Sequence, residues 1–286
     1  MGRFWSILFL LVPILGVWVF VSAACNWWPF SGGSLSFPSE HWLPQDISVH
    51  GVIIDGLYDF ILWLTGIIFI ATGIALFWFL LRYDAEQNKD PVQFTHGSHV
   101  LEVVWSVLPA VTLLFIAIYQ MNAWSDAKIR RPLQSVGPDG RQGTPDDVFL
   151  PPLLEVTGRQ FEWRLRYPGA DQEFGTPDDI HLVNDLHVPV NEEIVIAIKS
   201  DDVLHSFFLP NVRLKQDVVP GMKQYVWFKA KRTGTFDIVC AELCGWGHYK
   251  MKGRLTVESR QDFDRWIARK YEEQEASQIP VEVAER

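Results

Sequence analysis

Cysteine is scarce in this 286-residue sequence: Cys25 stands alone, and Cys240 and Cys244 are close neighbours. An odd count of three excludes a disulfide-stapled scaffold. The absence of any Cys-x-x-Cys-His excludes a covalently attached c-type haem. Charge is scarce too, but only in one part. Residues 1–121 hold three of the 25 Lys and Arg and eight of the 34 Asp and Glu, so a membrane anchor precedes a soluble domain. Positive charge never dominates: the net charge of −9 has the wrong sign for sequence-independent contact with nucleic acid. An acidic exterior suits a cationic partner. What the chain has in quantity is apolar surface, 48% of its residues, which excludes a disordered or fibrous protein.

Three apolar stretches reach the roughly 20 residues that a hydrocarbon core of about 30 Å requires. Residues 5–24 carry no charge, 57–81 only Asp59, and 102–121 only Glu102. Residues 1–24 read as a retained helix or as a signal peptide ending at Ser22-Ala-Ala-Cys25, with lipidation of Cys25 a minor alternative. The spacing therefore predicts two transmembrane helices, or three if the first is kept. Segment 25–56 has no Lys or Arg, whereas the connection 82–101 has Arg82 and Lys89. The positive-inside rule then makes 82–101 cytoplasmic and puts 25–56 and the soluble domain outside. Glu102, at the cytoplasmic start of the third stretch, is either a helix-start carboxylate at the positive dipole end or a functional carboxyl. His96 and His99 lack a third ligand and read as interfacial polar residues.

From residue 148 the pattern changes to short β-branched and aromatic segments between turn residues. Strands are expected at 151–167, 180–189, 193–200, 203–209, 224–230, 234–240 and 252–258, a small antiparallel sandwich or barrel within 122–258. A helix follows within 259–286, opened by the capping box Ser259-Arg-Gln-Asp262, with Phe263, Trp266, Ile267 and Tyr271 as packing residues and a polar tail from about 275. One motif, G-x-D-x-x-x-G-T-P-D-D, occurs twice, at 137–147 and 169–179. Its Gly, Pro and Asp read as paired turns; calcium held by the acidic side chains is the alternative.

The densest chemistry lies in Cys240-Ala-Glu242-Leu-Cys244-Gly-Trp-Gly-His248-Tyr-Lys-Met251, with His205 upstream. Two thiolates, imidazole and a thioether form a soft donor set suited to copper. A second thiolate favours a dinuclear centre, because two sulfurs can bridge two ions while His205 and His248 each complete one. A Cys240–Cys244 disulfide and a Cys2His2 zinc site are alternatives, and both leave Met251 without a use.

The run C-x-E-x-C-x3-H-x2-M, with that earlier His, Leu214-Lys-Gln-Asp217-Val-Val-Pro-Gly221 and His99-x-Leu-Glu102-x-x-Trp105-x-x-x-Pro109, resembles the cytochrome c oxidase subunit 2 family over about residues 50–270. The resemblance implies a cupredoxin-like β-barrel, bearing a dinuclear CuA centre, on a membrane helical hairpin at 57–121. It implies a respiratory oxidase of a bacterial inner membrane, with the C-terminal domain on the outer face. Electrons would pass from cytochrome c to haem in subunit 1, where oxygen is reduced, so this chain would carry no catalytic residue of that step. Subunit 3 and membrane lipid would be further neighbours. Residue by residue, His205, Cys240, Cys244 and Met251 would bind one copper. The two cysteines, His248 and the Glu242 carbonyl would bind the other. The Glu242 carboxyl and Asp217 would meet Mg or Mn at the subunit 1 interface. Glu102 would stand at the mouth of a proton path.

Where the family has Gln-Trp-x-Trp, this chain reads Gln160-Phe161-Glu162-Trp163, so Phe161 takes the position where electrons enter and Trp163 either assists or packs. Without a fused haem domain, the donor must be a separate protein. A reading from another class is a membrane-tethered copper-binding or copper-delivery protein that transfers no electrons.

Overall fold

The computed structural model describes residues 3–24, 43–83, 89, 91, 94 and 96–278. Cys25 and the tail from 279 lie outside the described residues. The chain divides into two units. The first is built from helices α1 (Arg3–Ala24), α2 (Gly51–Arg82) and α3 (His99–Trp124). With 32 and 26 residues, α2 and α3 run about 48 and 39 Å, enough to cross a hydrocarbon core of about 30 Å. Their apolar side chains, among them Ile67, Phe69, Val107 and Leu113, stay exposed within the chain. Three threonines are satisfied internally, as hydrocarbon requires of polar groups: Thr65, Thr72 and Thr112 each donate to a carbonyl one turn back, at 2.8–2.9 Å. Helix α2 starts before the apolar stretch at 57 because a cap is available. Gly51 N–H donates to Ser48 Oγ (2.9 Å), and Ser48 N–H donates to Asp46 (2.9 Å).

The second unit holds twelve strands. They are β1 (Leu133–Ser135), β2 (Val148–Phe149), β3 (Leu154–Arg159), β4 (Glu162–Tyr167), β5 (Ile180–Val183), β6 (Asp185–Pro189), β7 (Glu193–Ser200), β8 (His205–Leu209), β9 (Leu214–Val218), β10 (Gln224–Lys229), β11 (Gly234–Cys240) and β12 (Lys252–Glu258). Strands β1 and β2 pair alone; the others form two five-stranded sheets, ordered β10-β7-β3-β4-β5 and β6-β12-β11-β8-β9. Between them lie Trp163, Tyr167, Phe207 and Phe228, all fully buried. The expectation of an all-antiparallel sandwich needs correction: β3–β7 and β6–β12 pair in parallel. The single strand expected at 151–167 is a hairpin that turns between Arg159 and Glu162. Strand β9 was not expected, having apolar residues only at its two ends.

Helix α4 (Arg260–Gln278) closes the unit. Ser259 accepts the Asp262 N–H at 3.1 Å, and its hydroxyl meets the Asp262 carboxylate at 2.5 Å. Phe263 and Trp266 are buried, and Trp266 stacks on His187 at 4.1 Å.

The repeated motif folds into the same loop twice. Asp147 accepts N–H groups from Gly137 (3.1 Å), Gly143 (2.6 Å) and Thr144 (3.1 Å). Asp179 accepts Gly175 N–H at 2.7 Å. Gly143 and Gly175 stand at φ +86° and +94°, where a side chain would be strained. A Cβ on Gly137 or Gly169 would fall 2.1 or 1.9 Å from the carboxylate of Asp146 or Asp178. The second loop is also tied to β4, since Arg166 lies 3.5 Å from Asp179.

Candidate metal centre

Two strand ends bring the upstream histidine to the cysteines. His205 opens β8, Cys240 closes β11, and the strands pair with Cys240 opposite Phe207. The loop 241–251 is then pinned at both ends. Cys240 N–H donates to the Met251 carbonyl (3.2 Å), and Ala241 N–H donates to the Ser206 carbonyl (3.0 Å). Gln160, in the β3–β4 turn, donates its amide to the Cys244 carbonyl at 2.5 Å.

The donors that result lie close together. Cys240 Sγ is 3.9 Å from Cys244 Sγ and 4.0 Å from His205 Nδ1. Cys244 Sγ is 3.7 Å from His248 Nδ1 and 3.8 Å from Met251 Sδ. The Glu242 carbonyl oxygen is 3.3 Å from Cys240 Sγ. His205, Cys240, Cys244 and Met251 are buried. The sulfurs are separate thiols, because a disulfide would hold them at about 2.05 Å. Zinc would leave the inward-facing thioether unused, whereas two thiols, two imidazoles and a thioether are the soft set that copper takes.

The charges fit cations. Burial opposes ionisation of Cys240, but hydrogen bonds from His205 and the backbone around Ser206 and Glu242 outweigh it and draw the thiol down to about 6. Burial and the neighbouring Cys240 charge push Cys244 up to about 11. One negative charge is thus easily held and a second is resisted, a balance that a bound cation would relieve. His205 Nε2 is 2.8 Å from Asp202, which leaves Nδ1 toward the sulfur. Asp202 is held in turn by the N–H groups of Gln160 (2.8 Å) and Val203 (2.6 Å). The carboxylate therefore fixes the ring's orientation.

Aromatic residues line the site on two sides. Trp163 is fully buried and edge-on to His205 and Phe207, at 5.9 and 5.2 Å between ring centres. Gly158 admits this packing: a Cβ there would lie 2.9 Å from the His205 ring. Phe161 is half-buried across the ligand loop, where a Cβ on Gly247 would fall 2.5 Å from its ring. Trp246 meets Phe161 edge-on at 5.3 Å and is 81% exposed. Sequence reasoning missed Trp246. Its signal is an indole between two glycines inside a ligand loop too short to bury it.

Asp217 is exposed on β9, paired across the ladder with Ser206. Glu102 occupies the first turn of α3, 3.3 Å from His99.

Comparison with known proteins is consistent over most of the chain. The periplasmic domain of cytochrome c oxidase subunit II matches residues 155–259, and the transmembrane domain of the same subunit matches residues 43–123. The alternative cytochrome c oxidase subunit 2 of Bradyrhizobium diazoefficiens is 28% identical, over 79% of this chain and 82% of its own length. The cytochrome c oxidase subunit 2 of Thermostichus vulcanus is 27% identical, over 78% and 77%. A probable cytochrome c oxidase subunit 2 of Rickettsia bellii is 30% identical, over 74% and 77%.

Proposed function

The chain belongs to the cytochrome c oxidase subunit 2 family, and from that membership we propose how its residues serve the oxidase. It is the membrane-anchored subunit that receives electrons for a haem–copper oxidase, with its cupredoxin-like domain outside the membrane; membership leaves the copper-delivery alternative without support. The observation that carries the reading is the convergence of His205, Cys240, Cys244, His248 and Met251, with the Glu242 carbonyl, at the joined ends of β8 and β11. His205, Cys240, Cys244 and Met251 would hold one copper; the cysteines, His248 and the Glu242 carbonyl would hold the second. When bound, the copper pair supplies reversible one-electron chemistry between cytochrome c and haem in subunit 1. The chain's own residues do the rest. Asp202 orients His205, Gln160 pins the loop, and the buried wall around Met251 keeps water off the sulfurs.

Phe161 and Trp246 form the face that cytochrome c meets. Trp246 offers the exposed contact, and Phe161 links it to the loop. Expected outcome: Phe161→Ala and Trp246→Ala each slow cytochrome c oxidation by about tenfold, the loss of an interface aromatic, with copper content and spectrum unchanged. Unaltered donor kinetics in both variants would move the docking face elsewhere.

The Glu242 side chain and Asp217 are assigned to Mg or Mn at the face toward subunit 1. An inward Glu242 carbonyl that leaves the carboxyl free supports this. Asp147 and Asp179 already accept backbone N–H groups, which supports paired turns over calcium. Subunit 3 is a further neighbour in the membrane. Glu102 delivers protons from the cytoplasmic side, marked by Arg82 and Lys89. Glu102→Ala is expected to cut steady-state oxygen consumption by about a hundredfold or more, the lower end of what a positioned proton-transfer group contributes. Copper reduction by cytochrome c should stay normal, and unchanged oxygen consumption would return Glu102 to a helix-start role.

A further inference from the structure

Three buried nitrogen atoms of the second unit have no hydrogen-bond partner and belong to residues that line one cavity: His50 Nε2, Arg131 Nε and Trp227 Nε1. The cavity measures about 870 Å3 and lies between β10 and the segment leading from α3 to β2. Tyr225 and Trp227 are two apart on β10 and share one face of this edge strand. The Arg131 guanidinium lies 4.1 Å from the Tyr225 ring and 4.9 Å from the Phe149 ring. His50 meets Trp227 edge-on at 4.5 Å. The three residues therefore stand against aromatic rings, of which Trp227 and Phe149 line the cavity. Buried polar groups are normally paired, so three on one wall ask for an acceptor.

The carboxylates nearby are engaged or exposed. Asp126 accepts from Arg130 at 2.7 Å, Asp147 accepts three backbone N–H groups, and Glu193 is exposed at the rim. Burial keeps His50 below its usual value against the pull of Asp126 and Asp46. Its ring is thus neutral and can offer an N–H, while Arg131 supplies charge.

We propose that this cavity binds a phosphate-bearing anion, the headgroup of an outer-leaflet phospholipid. A tetrahedral oxyanion accepts from three separately directed donors, whereas a carboxylate matches a planar fork. The volume falls in the range of about 300–1,000 Å3 typical of small-molecule sites and exceeds what a bare ion fills. The chain supplies the location: His50 directly precedes α2, and Ser125 directly follows α3. Two of the lining segments, at His50 and from Asp126 onward, are therefore chain that has just left the membrane, where basic and aromatic side chains meet headgroups. Free phosphate shares the chemistry and is the source to distinguish.

The test uses the intact, delipidated oxidase complex in detergent, following its thermal midpoint against dihexanoyl-phosphatidylglycerol, the phosphate-free dihexanoylglycerol and inorganic phosphate. The phospholipid should raise the midpoint saturably, and dihexanoylglycerol should not. Trp227→Phe keeps an aromatic ring on the strand while removing the N–H together with the pyrrole part of the indole; it should raise the half-saturating concentration about tenfold, and Arg131→Gln should raise it further. Copper content verifies folding of each variant, and Trp227→Phe suffices if Arg131→Gln does not assemble. Inorganic phosphate acting as strongly as the lipid would support the anion site and assign it to a soluble ion. No response in the wild type, equal saturation of wild type and Trp227→Phe, or an equal effect of dihexanoylglycerol would overturn the proposal.

Discussion

Cys240→Ser should leave an oxidase that no longer takes electrons from cytochrome c. Cys240 Sγ lies within 4.0 Å of Cys244 Sγ, His205 Nδ1 and the Glu242 carbonyl, so both proposed ligand sets include this atom. A serine hydroxyl is hard and stays protonated at neutral pH, whereas the Cys240 thiol is drawn down to about 6. Loss of a residue that merely orients a metal ligand costs about 10–100-fold in affinity; loss of a shared ligand should exceed that. Metal analysis should find at most one copper per complex and no thiolate charge-transfer bands from a mixed-valence pair, with cytochrome c oxidation at background. Two coppers and a normal rate would overturn the ligand assignment. Cys244→Ser should behave alike.

The second large effect is on stability. Trp163 is fully buried among His205, Phe207 and the Gly158 backbone. Truncating it to alanine opens a cavity and should cost about 3–5 kcal/mol, as large-to-small aromatic substitutions in cores do. The ring also backs His205, so Trp163→Ala should weaken copper retention besides lowering the thermal midpoint of the full chain. Trp163→Phe separates packing from electron transfer. It keeps most of the volume and should cost less than about 1.5 kcal/mol, with cytochrome c oxidation near the wild-type rate. A steep fall in that rate at normal copper content would place the indole on the electron route.

Different parts of the molecule were legible for different reasons. The ligands were readable because five of the six candidate positions share one run of twelve residues, and soft donors at such spacing have few other uses. Strand β7 was readable because an unbroken apolar run, Ile194–Ile198, is bounded abruptly by Glu193 and Lys199. The β3–β4 break was not, since Gly158-Arg-Gln160 reads equally well as strand; the turn exists because Gln160 is held by Asp202 and reaches the Cys244 carbonyl, contacts made far along the chain. Parallel pairing of β6 with β12 joins residues about seventy apart, which no local pattern reports. Trp246 was overlooked for the opposite reason: composition marks an indole as core, and only the flanking glycines and the short loop argue otherwise.

The duplicated acidic loops have one more consequence. In each, the first residue of the motif touches its end: Gly137 N–H donates to Asp147, and Gly169 lies against Asp178. The chain therefore leaves and rejoins its strand pair, β1–β2 in the first case and β4–β5 in the second, at nearly one point, and the geometry of each excursion is written in its own eleven residues. Loops with closed ends can be lengthened at small entropic expense, because closure varies only slowly with length. Positions 140–142 and 172–174 are thus natural splice points, where a fluorophore-binding tag or affinity peptide would report on the assembled oxidase without shifting the strand register that aligns His205 with Cys240.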